Sequence, residues 1–173
     1  MFSPFLVTLA TITTNPAQAG SPFCRDYRAV LAQAYRGFRQ YHGTIEDWED
    51  LGFSKTYHAT FSLPGGRCTI TDTEYDYTYA CSWKQNADDW QGAMAEARTL
   101  AQSLAACSEV KLIEFGESNE ENGNLRWRAR LNLNSAERTS VEVNASNFAS
   151  HMRRSPPRLS AIHMRIKYEK NRR

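Results

Sequence analysis

The chain has 173 residues, of which 41% are hydrophobic and 23% charged, a composition that suits one globular domain and excludes extensive disorder. The net charge is +2, but the charges are unevenly distributed. Residues 150–173 carry eight Lys or Arg and one acid, whereas residues 1–149 carry thirteen Lys or Arg and eighteen acids. This asymmetry favours contact with a polyanion or a membrane surface, or a basic tail that keeps the protein soluble.

The first nineteen residues are typical of a cleavable export signal. A short apolar stretch, Phe5 to Ile12, precedes Ala17-Gln18-Ala19, the small-x-small pattern of a cleavage site, so Gly20 begins the predicted mature chain. No Lys or Arg precedes the apolar stretch, and a buried N-terminal strand is the alternative. The signal predicts a periplasmic or secreted protein, and no later stretch approaches the ~20 apolar residues that span a bilayer.

Four cysteines follow the predicted cleavage site: Cys24, Cys68, Cys81 and Cys107. An even number in an exported chain predicts two disulfides, which can connect in three ways. No pair has the C-x-x-C spacing of a redox or zinc site. We therefore expect neither a metal nor a cofactor.

The first predicted element is a helix. Ser21-Pro22 supplies an N-cap followed by proline at the first helical position, and apolar residues then recur at helical spacing until Gly43. An acidic loop, Thr44 to Gly52, leads to an alternating strand, Phe53 to Leu63. A hairpin from Arg67 to Trp83 follows.

The register of this hairpin indicates the first disulfide. If Cys68 faces Cys81, then Ile70 faces Tyr79, and these four residues share one face of the hairpin. Directly opposed residues of an antiparallel pair have the short Cα separation that a disulfide requires. The sequence therefore favours Cys68–Cys81.

A second helix is predicted from Asn86, with Asp88 and Asp89 in a first turn where the helix dipole favours acids. Its apolar stripe ends at Cys107, and Cys24 stands at the start of the first helix. If the two helices lie antiparallel on one sheet, these ends meet. This arrangement favours Cys24–Cys107 as the second disulfide.

Four alternating or apolar stretches after the second helix predict strands: Val110 to Phe115, Leu125 to Leu133, Thr139 to Ala145 and Ser160 to Tyr168. The order α-βββ-α-ββββ predicts an α+β two-layer sandwich, with two helices packed on antiparallel sheet. Residues 20–168 would form this single domain, in which 20–85 and 86–168 look like unequal helix-plus-meander halves, although no self-similarity proves a repeat. Residues 169–173 are expected to be a basic disordered tail.

One motif resembles a pattern of small exported bacterial proteins; it consists of Leu63-Pro64-Gly65-Gly66-x-Cys68-x-Ile70 followed by Tyr79-x-Cys81-x-Trp83. The helix-then-meander order is also similar to that of tandem α/β inhibitor modules such as the β-lactamase inhibitory protein. This second resemblance concerns architecture and implies no function.

Two rows of basic residues are the candidate binding residues. Alternation places them on the faces opposite the apolar residues of their strands: Arg126, Arg128 and Arg130 in one row, and His163, Arg165 and Lys167 in the other. If both strands share a sheet, the rows form one open basic face for an anionic partner. The alternative is neutralisation, with Glu142 opposite Arg130 and Glu114 opposite Arg126.

No catalytic signature is present, since the chain lacks G-x-S-x-G, H-E-x-x-H, a phosphate loop and G-x-G-x-x-G. The leading hypothesis is a non-enzymatic binding protein that contacts a protein or an anionic envelope component through an open sheet face. One alternative is a small exported nuclease or hydrolase that uses His58 or His163 as general acid or base. Another is an envelope structural component.

Overall fold

The structure, a computed structural model, describes residues 20–45, 54–84, 89–119, 124–133, 138–148 and 159–171. The predicted export signal (1–19), the acidic residues that follow Ile45 and the predicted helix cap Asn86 lie outside these ranges.

The described chain forms two α-helices, two single-turn 3-10 helices and eight strands. The helices are α1 Pro22–Leu31 and α2 Trp90–Ser108, with the 3-10 turns at Ala34–Arg36 and Arg39–Tyr41. The strands are β1 His42–Ile45, β2 Ser54–Ala59, β3 Arg67–Thr73, β4 Asp76–Lys84, β5 Leu112–Asn119, β6 Leu125–Leu131, β7 Thr139–Phe148 and β8 Leu159–Glu169. The predicted α+β fold is confirmed, and β1 is a short addition to the first group of strands.

All eight strands belong to one antiparallel sheet in the order β1-β2-β3-β4-β8-β7-β6-β5. β4 is the last strand of the first half and β8 is the last strand of the second half. These two strands pair with each other along nearly their whole length, from Asp76↔Glu169 to Lys84↔Ala161. The two meanders therefore meet at the centre of the sheet, and β1 and β5 are its edges.

Both helices pack on one face of the sheet, which we call the covered face. Period-two alternation supplies it with apolar side chains, and its centre is fully buried: Ile70, Tyr79, Trp127, Ala129, Val141, Val143, Met164 and Ile166. From the helices, Cys24, Tyr27, Val30, Ala97, Ala101 and Leu104 complete this core. We call the opposite side the open face.

The first helix is shorter than predicted. α1 ends at Leu31, and two 3-10 turns follow, separated by Gly37 and Phe38 in left-handed backbone conformations with φ of 67° and 55°. This reversal directs Phe38 into the core, where its ring centroid lies 5.6 Å from that of Tyr79. Helical spacing of apolar residues alone did not distinguish a long helix from a helix followed by tight turns.

The second helix begins later than predicted. Its N-cap is Asp89, whose Oδ1 accepts a hydrogen bond from the backbone N–H of Gly92 at 2.7 Å. The next residue, Trp90, is nearly buried, and its Nε1 donates to Glu117 on β5 at 2.9 Å. Trp90, the first residue of α2, is thus tied to the sheet, and Asp89, which the sequence placed in the first turn, is the cap.

The structure joins Cys24 to Cys107 and Cys68 to Cys81, the two pairs that the sequence favoured, and contains no free cysteine among its four. Residue Cys68 lies directly opposite Cys81 in the β3–β4 register. The other disulfide connects α1 to the end of α2, where Arg28 Nε also donates to the carbonyl of Cys107 at 2.7 Å. One bridge is therefore internal to the first half, and the other links the halves.

The predicted disordered tail does not begin at residue 169. Glu169 is the last residue of β8, and Lys170 returns to the β3–β4 hairpin. Its Nζ contacts Asp72 Oδ1 at 2.6 Å, donates to the carbonyl of Thr73 and lies 4.0 Å from the centroid of the Tyr77 ring. The partly buried Tyr77 ring and two acceptors hold this lysine, and sequence position alone did not reveal them.

Candidate anion-binding face

The six candidate binding residues lie on the open face of one sheet. The strand order places β7 between β6 and β8, so the two basic rows are separated by one strand, or about 10 Å. We use the name basic face for these six residues: Arg126, Arg128, Arg130, His163, Arg165 and Lys167. The sequence predicted one basic face only if both strands belonged to one sheet. The sheet topology meets that condition.

Strand β7 supplies the polar residues between the two rows. In the register, Asn144 is opposite Arg128 on one side and His163 on the other. Glu142 is likewise between Arg130 and Arg165. The same alternation that buries Val143 and Ala145 against α2 places these polar residues on the open face.

Glu142 forms its ion pair with a different arginine from the one predicted. It is directly opposite Arg130, as expected, but its Oε1 lies 3.9 Å from a guanidinium nitrogen of Arg126. Both side chains are about one-third exposed, at 36% for Arg126 and 32% for Glu142. A partly solvated pair at this distance offsets little of the local positive potential.

The prediction that Glu114 faces Arg126 is wrong. A bulge between Glu114 and Gly116 shifts the β5–β6 register, so Glu114 is opposite Ala129. Its carboxylate is 3.3 Å from Arg98 Nε of α2. An inserted residue reverses the facing of the side chains on one side of it relative to those on the other side. Counted back from Asn119, Glu114 lies beyond the bulge, so this acid is on the face opposite the basic face.

The bulged strand instead places Phe115 beside the basic face. The guanidinium carbon of Arg128 lies 4.9 Å from the centroid of the Phe115 ring, a cation–π contact. Phe115 remains 54% exposed. The aromatic ring holds Arg128 in place without removing its charge.

The remaining cations of the face fall into two groups. Lys167 is paired, since its Nζ lies 3.1 Å from Asp76 and 4.0 Å from Glu169. Arg130 and Arg165 are exposed, and no carboxylate of the described ranges lies within ion-pair distance of either, or of Arg128. Three arginines of the basic face thus keep their charge unpaired within the described part of the chain.

A cavity of about 420 Å³ opens on the basic face beside β7. Its lining is mostly polar: Asn124, Leu125, Arg126, Asn144, Ser146, His163 and Arg165. Asn144 is 4% exposed and Ser146 is 3% exposed. The Ser146 Oγ is buried and has no hydrogen-bond partner among the described residues. The cavity therefore combines two guanidinium groups with buried neutral donors.

The positive potential of this cavity acts on His163. Burial lowers the pKa of its imidazole from 6.5, and the neighbouring Arg165 and Arg126 lower it further. At neutral pH the ring is therefore uncharged, with one N–H to donate and one nitrogen to accept. The two arginines supply the charge, and His163 supplies a neutral hydrogen-bonding group.

The other histidine considered as a catalyst, His58, lies on β2 and is exposed. Strands β3 and β4 separate β2 from β8, so His58 and His163 are on strands about 14 Å apart. An acid and a base that serve one scissile bond must both reach it by hydrogen bonds. The fold therefore does not bring the two histidines together as an acid–base pair.

Asn144 and Ser146 were not among the binding residues that the sequence predicted. Alternation in Thr139 to Ala145 already placed Val141, Val143 and Ala145 on one face, so Asn144 faced the other way, as did Ser146 if the alternation continued. Their importance depends on β7 lying between the two basic rows, and long-range strand pairing determines that arrangement.

Two general features of the described ranges bear on function. No group of three or more His, Cys, Asp or Glu residues is arranged there to hold a metal ion. Neither helix is long and apolar enough to cross a membrane.

Comparison of the chain with protein-family models, curated proteins and solved structures finds no match.

Proposed function

We propose that this protein is an exported, non-enzymatic binding protein that contacts an anionic partner through its basic face. The observation that carries the proposal is the trio Arg128, Arg130 and Arg165, which is exposed on one side of a rigid sheet with no described acid in ion-pair distance. Unpaired surface cations in one patch attract anions and speed their association.

The position of the patch also supports binding. The basic face lies on the side of the sheet opposite both helices, so its six side chains take no part in the core that the covered face forms. Charges on rigid strands keep their relative positions, and a partner therefore finds a preorganised surface.

Export to the periplasm or to the medium is part of the proposal. It rests on the signal-like residues 1–19 and on two disulfides, which persist in oxidising compartments. Mass spectrometry of the exported protein is expected to find Gly20 at its N-terminus. A cytoplasmic product that retains Met1 would contradict export.

The test of binding uses charge reversal at Arg128. Its guanidinium stacks on Phe115 and makes no described ion pair, so Arg128→Glu is expected to leave the thermal midpoint almost unchanged. The immobilised protein is mixed with envelope extract of the producing organism at low and high salt. We expect the parent to retain a partner at low salt and to release it at high salt, because salt screens exposed charges.

The matched control is Arg25→Glu, which makes the same change in net charge on α1, on the other side of the sheet. Arg25 is 77% exposed and contacts only the adjacent Asp26 among the described acids. We expect Arg128→Glu to lose the partner and Arg25→Glu to keep it. Equal loss in both variants would show attraction by net charge alone, and no retention by the parent would refute the proposal.

A further inference from the structure

We propose that the cavity between β6, β7 and β8 binds an oxyanion, a carboxylate or phosphate group carried by the partner. The inference rests on the proposed function, because Arg126, His163 and Arg165 belong both to the basic face and to the cavity. It adds a defined subsite, with Asn144 and Ser146 of β7 as its buried donors.

The chemistry of the lining selects an anion. Two guanidinium groups reach the cavity from strands on either side of β7, and Arg is the side chain whose geometry best matches carboxylate and phosphate oxygens. None of the lining residues in the described part of the chain is acidic. Burial lowers the pKa of His163 in this lining, and the charges of Arg165 and Arg126 lower it further.

The buried hydroxyl of Ser146 is the second observation. A buried polar atom without a partner costs about 1–3 kcal/mol, and the great majority of such atoms in folded proteins have partners. The Ser146 Oγ is buried on the cavity wall and has no partner in the described part of the chain. An oxyanion oxygen in the cavity would accept its proton.

Cavity size and polarity agree with a small charged group. A volume of about 420 Å³ is at the lower end of the range for ligand sites. Most ligand pockets are lined largely by apolar side chains, whereas Leu125 is the one apolar residue among the seven described lining residues. An apolar ligand would leave the guanidinium groups and the amides unsatisfied, at a cost in free energy.

The experiment titrates the purified protein with inorganic phosphate and, separately, with acetate, at constant ionic strength with chloride as the balancing anion. Binding is followed by NMR through the backbone amides of β7 and the imidazole of His163. We expect saturable shifts with at least one probe, and a bound anion should raise the pKa of His163. The probe that binds identifies the group as phosphate or carboxylate, and binding of neither refutes the inference.

Ser146→Ala is the decisive variant, and Ser140→Ala is its control on the same face of the same strand. Loss of one hydrogen bond to a charged ligand should weaken binding about tenfold, and the thermal midpoint should not fall because the hydroxyl lacks a described partner. Ser140 lies outside the cavity lining, so its removal should leave affinity unchanged. Equal affinity in Ser146→Ala and the parent would overturn the inference.

The two proposals fail separately. If neither probe binds but partner retention still depends on Arg128, the basic face stands and the oxyanion subsite is refuted. If phosphate or acetate binds through Ser146 but no partner is retained at low salt, the subsite stands and the proposed function is refuted.

Discussion

The two halves of the sheet have similar covered faces and different open faces. Against the helices, β3 and β4 present Ile70 and Tyr79, and β7 and β8 present Val143 and Met164, all fully buried. On the open face the middle of β3 and β4 carries small side chains, namely Thr69, Thr71, Thr78, Ala80 and Ser82, with Arg67 and Asp76 towards the strand ends and His58 on β2. The second half carries the basic face and the polar residues of β7.

The similarity of the covered faces reflects a requirement of folding, whereas the open faces are free to differ. The covered face must be apolar in both halves because its burial drives folding. The open face is under no such requirement, so residues that differ between the halves there are candidates for function. By this criterion, the candidate functional residues lie on β6, β7 and β8.

The largest expected effect tests how the halves are held together. Replacement of Cys24 and Cys107 by Ser should lower the free energy of unfolding by about 4.5 kcal/mol in the chain-entropy model, since this bridge closes a sequence separation of 83 residues. The same change at Cys68 and Cys81, 13 residues apart, should cost about 3 kcal/mol. Urea unfolding of the two double variants measures the difference. A larger loss from the hairpin bridge would contradict the ranking.

The next effect compares adjacent residues on opposite faces. Met164→Ala and Ile70→Ala, one in each half, should each lower the free energy of unfolding by about 2–5 kcal/mol because both side chains are fully buried. Their neighbours on the open face, Arg165→Ala and Thr69→Ala, should change it by less than about 0.5 kcal/mol. Thermal and urea unfolding of these four variants would test the comparison, and a large loss at Arg165 would give the basic face a structural role.

The smallest effect concerns pH and is confined to the second half. His163 is flanked by Arg126 on β6, by Asn144 and Glu142 on β7, by Arg165 on its own strand and by Ser82 on β4. Its folded pKa is lowered, so below about pH 6.5 the unfolded state binds more protons than the folded state. Stability should therefore decrease as the pH falls through this range.

The control for this prediction is His163→Gln, which keeps a polar side chain but does not titrate. Urea unfolding of the parent and the variant at pH 7.5 and 5.5 separates His163 from the other titrating groups. We expect the parent to lose more stability than the variant on acidification. Identical losses would show that the pKa of His163 is not lowered in the folded protein.

Local patterns in the sequence determined much of the fold. Alternation assigned most strand residues to the correct face, and the hairpin register paired Cys68 with Cys81 because neighbouring strands joined by a short turn have few alternative registers. Ser21 was also identified as the cap of α1, where its hydroxyl accepts from the N–H of Cys24. These features depend on residues close together in sequence.

Contacts between distant residues determined the rest. Pairing of β4 with β8 merged two meanders into one sheet, and the position of β7 between β6 and β8 placed Asn144 and Ser146 between the arginines. The bulge before Gly116 turned Glu114 towards α2, which no local pattern indicated. The sequence by itself determined which residues are basic and which face each would occupy; tertiary structure alone decided which strands became neighbours, because strand order is set by burial of the whole apolar face.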